Sequence, residues 1–216
     1  MSKKDLSVQK LKSLDSNKKF IQVYPYFKTQ LKQYLKKNNF LVAVSGGPDS
    51  LALSVLSQKY AAENKTKPFF ILIDHKIRKN SSREALWVQK LFKSRSMNLR
   101  IIKNTQKINN NIQAEARKVR YELLSNFCLK KKIKFILTAH HRDDQVETFL
   151  IRLSRGSGIQ GLSSMDKIVK LNNKVSVFRP LLDLKKEDLL SISKSYFGKV
   201  VKDPSNEDNK YLRTKI

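Results

Sequence analysis

The sequence predicts an α/β fold built on a doubly wound sheet of five parallel strands. Short, continuously apolar runs alternate along the chain with longer segments whose apolar residues recur at helical spacing, which is the pattern of repeated βα units. Strands that helices cover on both faces are apolar at nearly every position, as these runs are. At 216 residues, the chain is long enough to bury such a core in one domain.

Five apolar runs are the predicted strands: Phe40–Val44, Phe69–Ile73, Leu99–Lys103, Lys134–Ala139 and the run VSVF at 175–178. Six helices are predicted around them: at 20–38, directly after the turn at 45–50, from residue 81, at 111–128, at 143–153 and at 185–197. Residues 1–20 are polar and lysine-rich, and we interpret them as an N-terminal tail. Residues 21–216 are then one catalytic domain with a small C-terminal extension.

Three of these helices carry more specific expectations. The helix from residue 81 should begin with a capping box, in which the Ser81 hydroxyl and the Glu84 carboxylate satisfy free backbone amides. The helix at 143–153 should bury an apolar stripe of Val146, Leu150 and Leu153. The helix at 111–128 should bury Ile112, Ala116, Val119, Leu123 and Phe127.

Charge and cysteine content limit the class of protein. The chain has 45 Lys and Arg against 18 Asp and Glu, a net charge of +27, which attracts polyanions such as nucleic acid. A generally lysine-rich composition spread over solvated faces is the alternative. Cys128 is the one cysteine, so the sequence has no disulfide framework and no CxxC motif. Without a secretory signal or an apolar run of membrane-spanning length, we expect a cytoplasmic protein with no membrane contact.

The first strand and its helix are joined by the turn SGGPDS, from Ser45 to Ser50. Gly46 and Gly47 permit a close backbone approach and positive φ. The amides at the helix start, with the Ser45 and Ser50 hydroxyls, can hold an anion such as phosphate. The turn has no lysine and does not match GxxxxGK[ST], which argues against a Walker-type site. An ordinary βα turn with a serine cap is the alternative.

All three histidines follow predicted strands: His75 comes after Phe69–Ile73, and His140 and His141 come after Lys134–Ala139. Because ligands bind at the carboxyl ends of parallel strands, we expect His75 and His140 to share one cleft with SGGPDS. The helix after His141 carries Asp144 and Glu147 on one face. Such carboxylates suit magnesium, a ligand amine or proton transfer, although an acidic first turn also complements the helix dipole.

Two arginines, Arg117 and Arg120, share one face of their predicted helix. They are candidate contacts to the phosphates of an RNA, and a solvated basic face is the alternative.

Seven motifs occur in this order: SGGPDS, DHKIR, QAEARKVRY, TAHHRDDQVET, RGSGIQGL, RPLL and DPSNEDNKYLR. In these residues the sequence resembles the tRNA(Ile)-lysidine synthases, a family of the PP-loop (N-type ATP pyrophosphatase) superfamily, over roughly 38–213. SGGxDS identifies only the superfamily, whereas HHRDDQVET together with DPSNED and the trailing Arg213 is more specific. The resemblance implies an adenine nucleotide alpha hydrolase-like fold. Lys76 is a departure, because many relatives have glycine there.

The resemblance also implies an activity. Members of this family use ATP to adenylate the C2 carbonyl oxygen of the wobble cytidine in the CAU anticodon of tRNA(Ile), and pyrophosphate is released. The amine of free L-lysine then displaces AMP and gives lysidine. No obligate protein partner is expected. Family members usually carry a further C-terminal region that grips the tRNA, so we expect these 216 residues to bind tRNA weakly and with strong salt dependence.

The same resemblance assigns roles to residues of this sequence. Asp49 and Asp144 would hold Mg²⁺ against the phosphates, Glu147 would bind or deprotonate the lysine amine, and Arg213 would stabilise charge on the phosphate or the adenylate. ATP would contact the turn and two histidines: Ser45, Gly46, Gly47, Pro48, Asp49, Ser50, His75 and His140.

Three other functions stay open at this point. One is another PP-loop tRNA-modifying or amidating enzyme, such as a tRNA thiolase, although sulfur transfer with paired cysteines needs more than one thiol. A second is a non-catalytic RNA-binding module. The third is a metal-dependent phosphohydrolase built on Asp74, His75, His140, His141, Asp143 and Asp144.

Overall fold

The computed structural model describes residues 11, 13–78, 80–106, 108, 111–156 and 163–198. Six strands form one sheet: β1 (Phe40–Val44), β2 (Pro68–Asp74), β3 (Leu99–Lys103), β4 (Phe135–Leu137), β5 (Ile168–Lys170) and β6 (Ser176–Phe178). Six α-helices accompany it among the described residues: α1 (Lys18–Leu35), α2 (Pro48–Asn64), α3 (Ser81–Ser94), α4 (Ile112–Lys131), α5 (Arg142–Ser154) and α6 (Lys186–Phe197). A single 3₁₀ turn, Ser13–Ser16, precedes α1.

The strands lie across the sheet in the order β3-β2-β1-β4-β6-β5. The pairs β3–β2, β2–β1, β1–β4 and β4–β6 are parallel, which confirms the predicted five parallel strands. The prediction missed β5, a three-residue strand that pairs antiparallel with β6 at the sheet edge.

The strand order places a topological switch point between β1 and β4. After β1 the chain builds the sheet outwards through β2 and β3, and it then returns to the other side of β1 with β4. Connections that leave two neighbouring strands in opposite directions open a crevice at their carboxyl ends, where ligands bind in folds of this kind. The turn after β1 and the histidine pair after β4 flank this crevice.

Alternate residues of the strands face two helical layers. Phe40, Val42 and Val44 belong to one buried cluster with residues of α1, α2, α3 and α6, while Leu41 belongs to another with residues of α4. Residues 50–57 of α2 are all buried, which explains why that helix has apolar or small residues all round.

The predicted stripe of α5 is wrong. Val146 and Leu153 are 54% and 51% exposed, Leu150 is also exposed, and no residue of α5 is buried. The physical reason is the place of the helix: α5 begins at the carboxyl end of β4 and turns Asp144 and Glu147 towards the cleft. Its apolar side therefore faces away from the core.

The predicted stripe of α4 is partly wrong. Val119 and Phe127 are buried as expected, but Ile112 is 49% exposed, and Ala116 and Leu123 are half-buried. The helix instead buries Leu124, Ser125 and Cys128. At the other end of the chain, Leu11, Leu14 and Phe20 of the predicted tail are buried in the core.

The predicted capping box at the start of α3 is also wrong. Asn80 is the N-cap residue, and its side chain makes no capping hydrogen bond. The Ser81 and Ser82 hydroxyls instead donate to the buried Asp74 carboxylate at the end of β2, and Glu84 pairs with Arg78 at 3.5 Å. No helix among the described residues is long and apolar enough to cross a membrane.

Candidate active site

The turn between β1 and α2 is shaped by the side chain of Ser50. The Ser50 hydroxyl accepts hydrogen bonds from the backbone N–H groups of Ser45 (3.2 Å) and Gly46 (3.1 Å) and donates to the Gly47 carbonyl (2.9 Å). The first backbone hydrogen bond within α2 is donated by Leu51. Pro48 has no N–H, and the Gly47 N–H donates to Ser45 Oγ (3.4 Å). The amides of Asp49 and Ser50 are therefore the ones at this helix start that remain for a ligand, since the first N–H groups of a helix have no intrahelical acceptor.

Gly46 is required at its position for two reasons. Its φ is +93°, in the region where side chains cause strain. A Cβ atom built there would also lie 2.7 Å from Val88 Cγ2 of α3. The turn thus packs directly against α3.

Asp49 and Asp144 meet at the ring of His141. His141 is 3% exposed and caps α5. Its ring Nδ1 accepts from the backbone N–H of Asp144 (3.4 Å), and the backbone N–H of His141 donates to Asp144 Oδ2 (2.9 Å). The other ring nitrogen, Nε2, lies 3.5 Å from Asp49 Oδ2. Burial would lower the pKa of His141, but the interactions with Asp49 and Asp144 outweigh it and raise the pKa above its usual value.

His140 sits in a strongly positive part of the cleft. Its Nδ1 lies 2.9 Å from Thr138 Oγ1. Burial, followed by the charges of Arg179, Arg117 and Arg120, lowers the pKa of His140 to about 3, so the ring is neutral at physiological pH. Three guanidinium groups around a neutral ring form a favourable environment for a polyanion.

Asp74, the last residue of β2, anchors the segment that follows the strand through side-chain hydrogen bonds. Besides the Ser81 and Ser82 hydroxyls, its carboxylate accepts from the Lys76 N–H at 3.0 Å. Burial raises the pKa of Asp74, but these hydrogen bonds outweigh burial and hold it below its usual value. Lys76 has a φ of +55°, so this lysine occupies a left-handed position that suits glycine.

Three cavities adjoin one another through shared lining residues, and together they make up the cleft. The first, of about 220 Å³, is lined by His75, Ser45 and Arg120, and burial and the Arg120 charge lower the pKa of His75. The second, of about 180 Å³, shares Ser45 and Arg120 with the first and contains Asp49. The third, of about 390 Å³, contains Glu147 and shares two residues with the second, namely His140 and Asp144. A more voluminous cavity of about 500 Å³, between α3 and β3, contains no residue of the turn.

Most predicted site residues therefore lie together. Those that line the cleft are Ser45, Asp49, Ser50, His75, Arg117, Arg120, His140, Asp144 and Glu147, and Gly46, Gly47 and Pro48 form the backbone of the turn. The expected proximity of His75 and His140 to SGGPDS is confirmed. Arg213 lies outside the described residues.

Sequence reasoning missed Arg179, which is only 6% exposed and lines the third cavity beside Glu147. It also missed the contact of His141 with Asp49. Arg179 comes directly after β6, so the criterion that singled out the histidines, a polar residue at the carboxyl end of a strand, would have found it.

A metal ion has a limited set of ligands here. Among the described residues, no group of three or more His, Cys, Asp and Glu side chains is placed to hold a metal. Asp49 Oδ1 is nevertheless buried and accepts no hydrogen bond from the residues that the structure describes. One or two carboxylates that complete their shell with substrate phosphates are the usual Mg²⁺ site, and Asp49 and Asp144 fit that requirement.

The phosphohydrolase alternative loses two of its six ligands to structural roles. Asp74 is saturated by hydroxyl and amide donors, and Asp143 Oδ1 accepts from the Lys186 N–H at the start of α6. Asp143 lines none of the three cavities, and Asp74 lines only the first.

Comparison with known proteins gives a family and a fold. A family model described as the PP-loop domain matches residues 20–216. The tRNA(Ile)-lysidine synthase of Wolbachia pipientis wMel is 43% identical over 180 residues, which are 82% of this chain and 42% of that protein. The tRNA(Ile)-lysidine synthase of Orientia tsutsugamushi (strain Boryong) is 43% identical over 176 residues, 81% of this chain and 40% of that protein. The resemblance predicted from the motifs is confirmed.

The chain spans about two-fifths of the length of these curated relatives. Among solved structures, the U34-tRNA thiolase NcsA from Methanococcus maripaludis, with its [4Fe-4S] cluster, has a TM-score of 0.70 at 19% identity. The match covers 91% of this chain and 70% of the thiolase, and at that identity it supports the α/β fold alone.

Proposed function

This chain belongs to the PP-loop domain family, and we propose that it joins free L-lysine to the wobble cytidine of a CAU-anticodon tRNA(Ile) at the expense of ATP. The cytidine C2 carbonyl oxygen attacks the α-phosphorus of ATP, and pyrophosphate leaves. The lysine amine then attacks C2, loses a proton, and expels AMP. The observation that carries the proposal is that the turn and Glu147 line adjoining cavities, which share His140 and Asp144.

The turn end of the cleft suits the nucleotide half of the reaction. The amide donors at the start of α2 favour a phosphate anion, and the neutral His75 and His140 rings add polar contacts without repelling a cationic metal. Bound Mg²⁺ would neutralise phosphate charge, and Asp49 and Asp144 would hold it.

The other end of the cleft suits the amine half. A lysine amine is a nucleophile only when neutral, so a nearby carboxylate must bind the ammonium and take up its proton. Glu147 lines the third cavity with Asp144, one turn further along α5 than the capped helix start. We assign Glu147 to this step.

Arginines supply the contacts to RNA in this proposal. Arg117, Arg120 and Arg179 line the cleft, and the chain as a whole carries a net charge of +27. Fixed cations beside the reacting groups would hold the tRNA backbone, or the charge that develops at the phosphate, in place.

Thiolation is the chemistry that these residues support least. A [4Fe-4S] cluster needs several cysteine thiolates, and the sequence contains one cysteine, Cys128. That thiol is buried in α4, where burial raises its pKa to about 12 and keeps it protonated and unreactive.

The test is incubation of the chain with ATP, lysine and a CAU-anticodon tRNA(Ile), followed by mass analysis of the nucleosides and of the nucleotide products. We expect lysidine, AMP and pyrophosphate. Asp49→Asn should lower turnover by about 10²-fold or more, because it removes the carboxylate and keeps the shape of the turn. Asp15→Asn, at an exposed carboxylate outside the cleft, is the matched control. Formation of ADP and orthophosphate, or no lysine-dependent product, would refute the proposal.

A further inference from the structure

His141 connects the two helices that carry the carboxylates of the site. Its backbone pairs with Leu181, in the segment after β6, and its ring lies between Asp49 at the start of α2 and Asp144 in the first turn of α5. The ring is buried and has little freedom to move. A change in its position would therefore be transmitted to both carboxylates.

The capping contact favours one tautomer of the neutral ring. Nδ1 lies 3.4 Å from the Asp144 N–H and 3.5 Å from Asp144 Oδ2, and the N–H contact favours a neutral ring without a proton on Nδ1. In a neutral imidazole the proton is then on Nε2, the atom that faces Asp49 Oδ2 at 3.5 Å. The ring thus accepts from α5 through Nδ1 and presents Nε2 to the Asp49 carboxylate of the turn.

We propose that His141 is a positioning residue that holds Asp49 in a fixed relation to Asp144 and Glu147. This inference rests on the proposed function. With Oδ2 3.5 Å from His141 Nε2, the Asp49 carboxylate leaves its buried Oδ1, which has no hydrogen-bond partner among the described residues, for a ligand. The same contact sets the distance between the nucleotide end of the cleft and the amine end, and small displacements of such groups have large effects on rate.

Two substitutions separate the two contacts of the ring. In His141→Asn, the side-chain oxygen still caps α5, since asparagine is among the favoured N-cap residues, but the side chain is too short to reach Asp49. In His141→Gln, the amide nitrogen can still reach Asp49, whereas the cap of α5 is lost. Asn17→Ala is the matched control, because it removes the side-chain cap of α1, where Asn17 Oδ1 accepts from the Phe20 N–H, outside the cleft.

We expect His141→Asn to be the more stable but the less active of the two variants. His141→Asn should keep the melting temperature near that of the wild type, while kcat for AMP formation falls about 10–100-fold with a smaller change in KM for ATP. His141→Gln should lose about 2–4 °C in melting temperature, as Asn17→Ala does, but retain a higher kcat than His141→Asn. Wild-type kcat in His141→Asn, or kcat values that simply follow the melting temperatures, would overturn the inference.

A second measurement does not depend on turnover. Nitrogen-15 chemical shifts of the three histidine rings, in protein labelled at histidine, distinguish a protonated from an unprotonated ring nitrogen. For the neutral His141 ring we expect the Nε2-protonated form, with an Nε2 shift that changes in Asp49→Asn. A proton on Nδ1 would overturn the inference. A wild type that forms no AMP with tRNA and lysine would refute the proposed function instead, and the ring measurement would still decide the role of His141.

Discussion

Replacement of Gly46 by alanine tests how the turn is held against α3. The new Cβ would occupy a backbone conformation with φ of +93° and would lie 2.7 Å from Val88 Cγ2. A left-handed conformation costs about 1–2 kcal/mol for a residue with a Cβ. Overpacking against a buried side chain costs about 1–3 kcal/mol more. We therefore expect Gly46→Ala to lower the free energy of unfolding by about 2–5 kcal/mol, the sum of the two effects.

Two other glycines separate these effects. Gly47→Ala has a normal φ of −71° and only a 3.6 Å contact with Ser45 Oγ, so its free energy of unfolding should stay within about 0.5 kcal/mol of the wild type. Gly156→Ala has a φ of +67° and no neighbour within 4 Å, so it should lose about 1–2 kcal/mol from backbone strain alone.

The assay is thermal and denaturant unfolding of the three variants and of Gly46→Ala combined with Val88→Ala. A loss of 2–5 kcal/mol corresponds to a fall of about 4–20 °C in melting temperature for a chain of this length. The double variant should recover about 1–3 kcal/mol relative to the sum of the single effects, because Val88→Ala removes the atom that clashes. Equal stability of Gly46→Ala and Gly47→Ala, or no coupling with Val88, would refute the packing argument.

Three further predictions concern the chemistry of the cleft. Glu147→Gln should slow lysine incorporation by about 10²-fold or more while ATP binding persists. The control is Glu122→Gln, on the exposed side of α4. An unchanged rate of lysine incorporation in Glu147→Gln would contradict the assignment. The folded-state pKa of His140, about 3, lies below its unfolded value, so the unfolded chain binds more protons and stability falls as pH drops below about 6.5. At pH 5, His140 should lower the free energy of unfolding of the wild type by about 2 kcal/mol, and His140→Gln should lack that loss. If the difference in free energy of unfolding between wild type and His140→Gln does not change with pH, the assignment is contradicted. Binding of tRNA should weaken steeply with salt. Arg117→Ala, in the cleft, should reduce the slope of log K against log salt concentration by about one, whereas Arg100→Ala on β3, outside the cleft, should leave that slope unchanged. Equal slopes for the two variants would show that the cleft does not contact the RNA.

The parts of the fold that could be predicted from sequence are those with a local signal. Continuous apolar runs predicted the parallel strands, and the carboxyl ends of β1, β2 and β4 then placed the turn and the histidines at one edge of the sheet. The short β5 gave no such signal, because its three residues, Ile168–Lys170, pair only at the edge of the sheet.

The errors come from interactions between distant residues. The helical period identified α5 as amphipathic, but it does not say whether the apolar or the polar face meets the rest of the protein. A serine and a glutamate three residues apart indicated a capping box, yet the buried Asp74 from β2 competes for the Ser81 hydroxyl. Similarly, only the folded chain brings Asp49 to the His141 ring.

The internal hydrogen bonds of the SGGPDS turn have a consequence for its affinity. A loop that takes its shape only around its ligand loses conformational entropy at that moment, at about 1–2 kcal/mol for each residue ordered. For the three residues from Ser45 to Gly47, that loss would amount to about 3–6 kcal/mol. Here the Ser50 hydroxyl already fixes the backbone of Ser45, Gly46 and Gly47, so the ordering belongs to the folding of the chain. A phosphate group then meets a rigid receptor, and even a cavity of about 180 Å³ can bind it with few direct contacts.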